Sequence, residues 1–118
     1  MKKLLLAAIV SLTTISSVAL AEIKVGIILG FTGPIETLTP AMRDSAKLAF
    51  AEVSASGALL GGETITPLIG DSTCVDSDAA VAAAELIVSD GAVAIMGADC
   101  SGVTGAIATN VAVPNGVT

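Results

Sequence analysis

One run constrains this chain more than any other: Ile23-Lys24-Val25-Gly26-Ile27-Ile28-Leu29, closed by Gly30. Such a β-branched stretch suits a strand covered on both faces. A strand of that kind belongs in a sheet with layers above and below it, so the rest of the chain must supply them.

The sequence that follows does so by alternating helix and strand. Gly30 to Thr39 carries Thr32-Gly33-Pro34 and reads as a loop. Thr39 is placed to cap a helix, with Pro40 at its first position, where a missing N–H costs nothing. Met42, Ala46, Ala49, Phe50 and Val53 recur at three- and four-residue spacing, one stripe of a helix that Gly57 ends. After a turn at Gly61-Gly62, Thr64 to Ile69 reads as a second strand, and Pro67 assigns it to an edge or an irregularity. Gly70 to Asp76 is a loop, Ser77 a cap, Asp78 to Asp90 an alanine-rich helix, and Gly91 its stop. Val93 to Met96 forms a third strand ended by Gly97. A third helix starts near Ser101 or Gly102 and runs to about Val111, and Val117-Thr118 reads as the opening of a fourth strand. The predicted fold class is therefore α/β, a parallel sheet with flanking helices and right-handed crossovers.

Residues 1–21 are expected to be a signal peptide rather than part of the fold. Lys2 and Lys3 form a positive start, Leu4 to Val10 an apolar core, and Val18-Ala19-Leu20-Ala21 a small-residue cleavage site, giving a mature chain from Glu22. Polar residues Ser11, Thr13, Thr14, Ser16 and Ser17 break the apolar run short of the ~20 residues a membrane span needs. In the remainder only Lys24, Arg43 and Lys47 face 11 acids, a net charge of 3 − 11 = −8. That balance argues against nucleic acid and anionic lipid surfaces as partners.

Cys74 and Cys100 are the only cysteines, in a chain routed to an oxidising compartment, and no histidine exists to activate a thiol or complete a zinc site. A disulfide is the reading that remains. No Ser-His-Asp set or nucleophile elbow is present, so the chain is not expected to be an enzyme, and neither a cofactor nor a metal is expected.

Thr32, Asp71, Ser72, Thr73, Asp99, Ser101 and Thr104 all fall just after a strand, where open parallel sheets bind ligands. The stretch Met96 to Gly105 passes from strand to helix. Its free amides, with the Ser101 and Thr104 hydroxyls, either hold an anion such as a carboxylate or serve only as a helix cap. Phe31 either lines a cleft or packs structurally, and Phe50 is expected in the core. Gly26, Gly30 and Gly33, with Asp71 after the second strand, invite a dinucleotide reading, but the glycine spacing is wrong for one. Asp71, Asp76 and Asp78 read as capping or solvated carboxylates, not a calcium loop.

Taken together these residues resemble the leucine/isoleucine/valine-binding family of type I periplasmic solute-binding proteins. The resemblance rests on Ile23-Lys24-Val25-Gly26 with Thr32-Gly33-Pro34, on Met42-Arg43 with Ala46 and Leu48-Ala49, and on Ala55-Ser56-Gly57 before Leu60-Gly61-Gly62. Asp71-Ser72-Thr73-Cys74, Ala79 to Ala84 and Gly97-Ala98-Asp99-Cys100-Ser101 complete it. It implies a bilobed receptor of which residues 22–118 are part of the N-terminal lobe, an incomplete type I lobe. It also implies capture of a small solute, an amino acid of branched-chain type or similar, in the periplasm for an inner-membrane ABC permease. By the same resemblance Ser101 and, more weakly, Thr104 contact the ligand's α-carboxylate, and the Cys74–Cys100 bridge pins the binding loop. Phe31 and Thr32 complete the expected ligand-binding set. Leu38 stands where relatives that take branched-chain amino acids place an aromatic. The alternative function is a ligand-sensing receptor domain of the same fold.

Overall fold

The structure is a computed structural model and describes residues 21–118. The expected signal peptide therefore lies, Ala21 excepted, outside the described residues.

Three strands form one parallel sheet in the order β2-β1-β3: β1 Glu22–Leu29, β2 Thr64–Asp71 and β3 Ala94–Gly97. The β-branched run is the central strand, and its Ile27, Ile28 and Leu29 are buried. Val25 pairs with Pro67 on one side and Ala94 on the other. Pro67 thus sits on the outer strand, where a missing amide leaves no gap in a two-sided ladder.

The two faces of β1 alternate, as the pleat requires. Ile28 joins Ala80, Ala84 and Ile87 of α2 (Ser77–Ser89) and Val103 and Ile107 of α3 (Ser101–Ile107) in one core. Gly26 and Gly70 open a hollow for Ile87: a Cβ on either would lie 2.8 or 2.9 Å from an Ile87 methyl. Ile27 and Leu29 turn to the other face, where α1 (Thr39–Ser56) packs on β1 and β2. The Ser54 hydroxyl of α1 accepts the Ile65 N–H at 2.9 Å, fastening the helix end to the start of β2.

Several boundaries differ from expectation. The N-cap of α1 is Leu38, not Thr39, because the Thr39 hydroxyl is buried and donates to Gly30 O at 3.0 Å instead of capping. Asp76, not Ser77, caps α2, accepting from Asp78 N and Ala79 N at 3.0 Å each. β2 runs on to Asp71, and β3 spans Ala94–Gly97. The apolar stripe of α1 is largely uncovered: Met42 is 44% and Val53 41% exposed, and Phe50 is half-buried rather than core. Among the described residues nothing packs on the outer flank of that helix.

The third helix continues past Val111. A π-helical turn at Ala108–Ala112 follows α3, and a short α4 at Val113–Asn115 ends at left-handed Gly116. Pro114 is accommodated near the end, where the ladder has already widened to put Val113 N–H on Ala108 O. Beyond it, Ile95 N–H donates to Thr118 O at 2.7 Å and Thr118 N–H to Val93 O at 3.5 Å. This is the bonding pattern of a parallel pair, in keeping with a strand opening at Val117-Thr118.

Candidate functional site

In the order β2-β1-β3 the chain leaves β1 to one side and returns on the other, so strand order reverses between the carboxyl ends of β1 and β3. Open α/β sheets bind ligands there. Three loops meet at this edge: residues 30–38 after β1, 72–76 after β2 and 98–100 after β3. They carry Phe31 and Thr32, Ser101 follows the last of them directly, and Thr104 lies one turn into α3.

Two carboxylates hold the loops together. Asp71, at the end of β2, accepts the Phe31 N–H at 2.9 Å, the Thr32 N–H at 3.3 Å and the Thr73 N–H at 2.8 Å through one oxygen. Its other oxygen accepts the Thr32 hydroxyl at 2.7 Å. Partial burial pushes the Asp71 pKa up, but hydrogen bonds from the Thr32 hydroxyl and the amides of Thr73, Thr32 and Phe31 outweigh it and hold the group below the ordinary aspartate value. A carboxylate so engaged is a loop organiser, which removes the basis for a ribose-binding role. Asp99 accepts the Gly30 N–H at 2.8 Å and the hydroxyl of fully buried Ser72 at 3.3 Å.

The disulfide joins Cys74 to Cys100 as expected, with Cα atoms 5.2 Å apart. Thr73 and Cys74 both take left-handed backbone, at φ 55° and 69°. For a β-branched residue such as Thr73 this conformation is unfavourable, and the Asp71 bond to its amide together with the disulfide of its neighbour holds it. Gly33 and Gly97 also have positive φ, 95° and 128°. A Cβ on Gly97 would collide with Ile28 O and one on Gly33 with Thr73 O, so both loops approach neighbouring backbone closely only because these are glycines.

Ser101 opens α3 and is exposed, and none of the side-chain hydrogen bonds among the described residues uses its hydroxyl. The first backbone bond of the helix is Thr104 N–H to Cys100 O at 3.0 Å, which leaves the Ser101, Gly102 and Val103 amides without a backbone acceptor. Thr104 is different: its half-buried hydroxyl donates to Ala98 O and Cys100 O, both at 2.9 Å, bracing the loop. The Thr32 hydroxyl is likewise committed, to Asp71. Phe31 is half-buried, with the Arg43 guanidinium 5.8 Å from its ring centroid, within cation–π range. Arg43 also pairs with Asp44 at 2.9 Å. An apolar hollow lined by Ile95, Gly97, Thr104, Ile107, Ala108 and Ala112 runs beside β3, and of the expected ligand residues it touches Thr104. The positions of Asp71 and Asp99 just after strands are legible in the sequence but their roles are not: their partners lie 27 to 69 residues away, apart from Thr73, and leave no local signature.

A parallel α/β lobe with its polar groups gathered at a strand-order reversal is the architecture of a ligand-binding module. The sequence model of the family described as periplasmic binding protein matches residues 22–117, and the chain belongs to that family. Among solved structures it is similar to the substrate-binding protein LivJ of the branched-chain amino acid transporter of Streptococcus pneumoniae, solved in complex with isoleucine. The identity is 26% and the TM-score 0.71, over 82% of this chain and 27% of that one. It is also similar to an ABC transporter protein from Rhodopseudomonas palustris, with 28% identity and TM-score 0.65 over 80% of this chain and 28% of the other. The chain thus spans about a quarter of the length of these proteins. No curated protein matches it.

Proposed function

We propose that residues 22–118 are part of the N-terminal lobe of an exported solute-binding protein that captures an amino acid, of branched-chain type or similar, for an inner-membrane ABC permease. The observation that carries this reading is the start of α3: three amides without backbone acceptors and the unengaged Ser101 hydroxyl, three loop residues beyond the strand end where strand order reverses. Amides at a helix start favour negative charge, so a ligand α-carboxylate is the group they suit. The isoleucine in the LivJ structure supports the ligand class.

In this reading Ser101 donates to the carboxylate, while Thr104 and Thr32 shape the site through the bonds their hydroxyls already make. Phe31, braced by Arg43, supplies an apolar wall. Capture involves no bond making or breaking, and the action is periplasmic, following removal of residues 1–21 after Ala21. One lobe leaves the ligand partly open to water, so this chain alone is expected to bind weakly.

An NMR titration of the chain with leucine, isoleucine, valine and a wider amino-acid panel tests the proposal. Saturable shifts centred on the amides of residues 101–103 are expected. Ser101→Ala should weaken them by about 1–3 kcal/mol, the loss of one donor to a charged oxygen. A panel that moves none of these amides would refute the reading.

A further inference from the structure

We propose that Asp99 is the positioning residue of this site: by accepting one hydrogen bond from the loop after β1 and one from the loop after β2, it fixes where Ser101 stands. The inference rests on the solute-binding reading and deepens it.

The loop between β3 and α3 is only three residues long, and each is tied to something different. Ala98 O accepts the Thr104 hydroxyl at 2.9 Å, and Cys100 is bonded to Cys74. Asp99, two residues before Ser101, reaches over the end of the central strand to the Gly30 N–H at 2.8 Å and the Ser72 hydroxyl at 3.3 Å. Both anchors are themselves fixed. Gly30 O accepts the buried Thr39 hydroxyl at 3.0 Å, and Ser72 N–H donates to Leu29 O at 2.9 Å. Asp99 therefore connects Ser101 to the first turn of α1 and to both other loops. The Thr104 bonds and the disulfide do not do this, since neither reaches the loop after β1.

The chemistry of the two partners defines which side chains can do this. Gly30 offers only a donor, whereas a serine hydroxyl either donates or accepts. An asparagine can therefore replace Asp99, with its oxygen on Gly30 N–H and its amide on a reversed Ser72 hydroxyl. An alanine leaves Gly30 N–H and Ser72 without partners and frees the loop.

The test compares wild type, Asp99→Asn, Asp99→Ala and Ser72→Ala, each titrated with isoleucine by NMR well below its melting temperature, with Gly30 amide exchange measured in parallel. Asp99→Ala is expected to weaken isoleucine binding about 10-fold or more, in line with loss of hydrogen bonds to a charged group, while Asp99→Asn stays within about 3-fold of wild type. Gly30 exchange should accelerate in the alanine variant and not in the asparagine one. A lowered melting temperature with unchanged affinity in Asp99→Ala would overturn the proposal, reducing Asp99 to a stabilising contact. Equal losses in the alanine and asparagine variants would also overturn it, because charge rather than geometry would then be at work. If Asp99→Ala does not fold, Ser72→Ala decides: weaker binding supports the clasp and unchanged affinity refutes it. A wild-type chain that binds no isoleucine would overturn the functional reading, and Gly30 exchange would then still report whether the clasp exists.

Discussion

The hollow that receives Ile87 permits a test of the packing that is specific to single methyl groups. A Cβ on Gly26 would lie 2.8 Å from Ile87 Cγ2 and 3.3 Å from Ile95 Cγ1; one on Gly70 would lie 2.9 Å from Ile87 Cδ1 and 3.3 Å from Ile28 Cγ1. Contacts that short displace a neighbour, and Ile87 is only 4% exposed, with little room to move. Overpacking of a filled core costs roughly 1–3 kcal/mol. Alanine recovers about 0.5–1 kcal/mol over glycine in backbone entropy. A net loss of about 1–2 kcal/mol is therefore expected for Gly26→Ala, and slightly less for Gly70→Ala, whose clash is with the end of the side chain. Ile87→Val removes Cδ1 and keeps Cγ2, at its own cost of about 0.5–1.5 kcal/mol. Combined with Gly70→Ala it should relieve the clash, giving a double variant about 1 kcal/mol more stable than the sum of the singles predicts. Combined with Gly26→Ala it should give near-additivity. Urea unfolding of the five variants and wild type, followed by circular dichroism, measures all of this. Equal coupling in both pairs, or a Gly26→Ala variant as stable as wild type, would refute this account of how α2 sits on the sheet.

Other expectations follow from the same structure. Replacing Cys74 and Cys100 together by serine should lower stability by about 3–4 kcal/mol, the loop-closure value for their separation of 26 residues, as read from urea midpoints under oxidising conditions. Because the folded Asp71 pKa lies below its unfolded value, its contribution to stability is present above the ordinary aspartate pKa and lost as pH falls through the folded one. Thermal melts should thus show wild type more stable than Asp71→Asn at neutral pH, with the gap closing as the solution is acidified below about pH 4. Asp76→Ala should cost about 1 kcal/mol through loss of the α2 cap, visible as a lower melting temperature, whereas Ser77→Ala should have little effect.

The sequence carried the order of elements because its signals are local. The β-branched run, Gly57, Gly91 and the alanine-rich stretch each specify a strand, a stop or a helix without reference to the rest of the fold. The helix starts are less local: α2 offers two adjacent capping side chains, and α1 begins at a residue with none. Asp76 and Ser77 cap about equally well, and only the backbone decides between them; Thr39 was drawn into a bond with Gly30 O that the sequence does not display. The π-helical turn has no period to detect. At the site, positions after strands were legible, but the division of labour was not. Thr32 and Thr104 hydroxyls turn out to be committed within the protein, Ser101 does not, and the two aspartates that organise the rim act over long sequence separations.

The strand order has a consequence for how this chain is assembled. β1 is made first, yet it sits in the middle, and its second neighbour arrives only with Ala94. Until then one side of β1 has nothing to bond with, an invitation to the wrong chain. Pairing of β3 with β1 closes that window, so a slow crossover through α2 lengthens the time for which that edge is open.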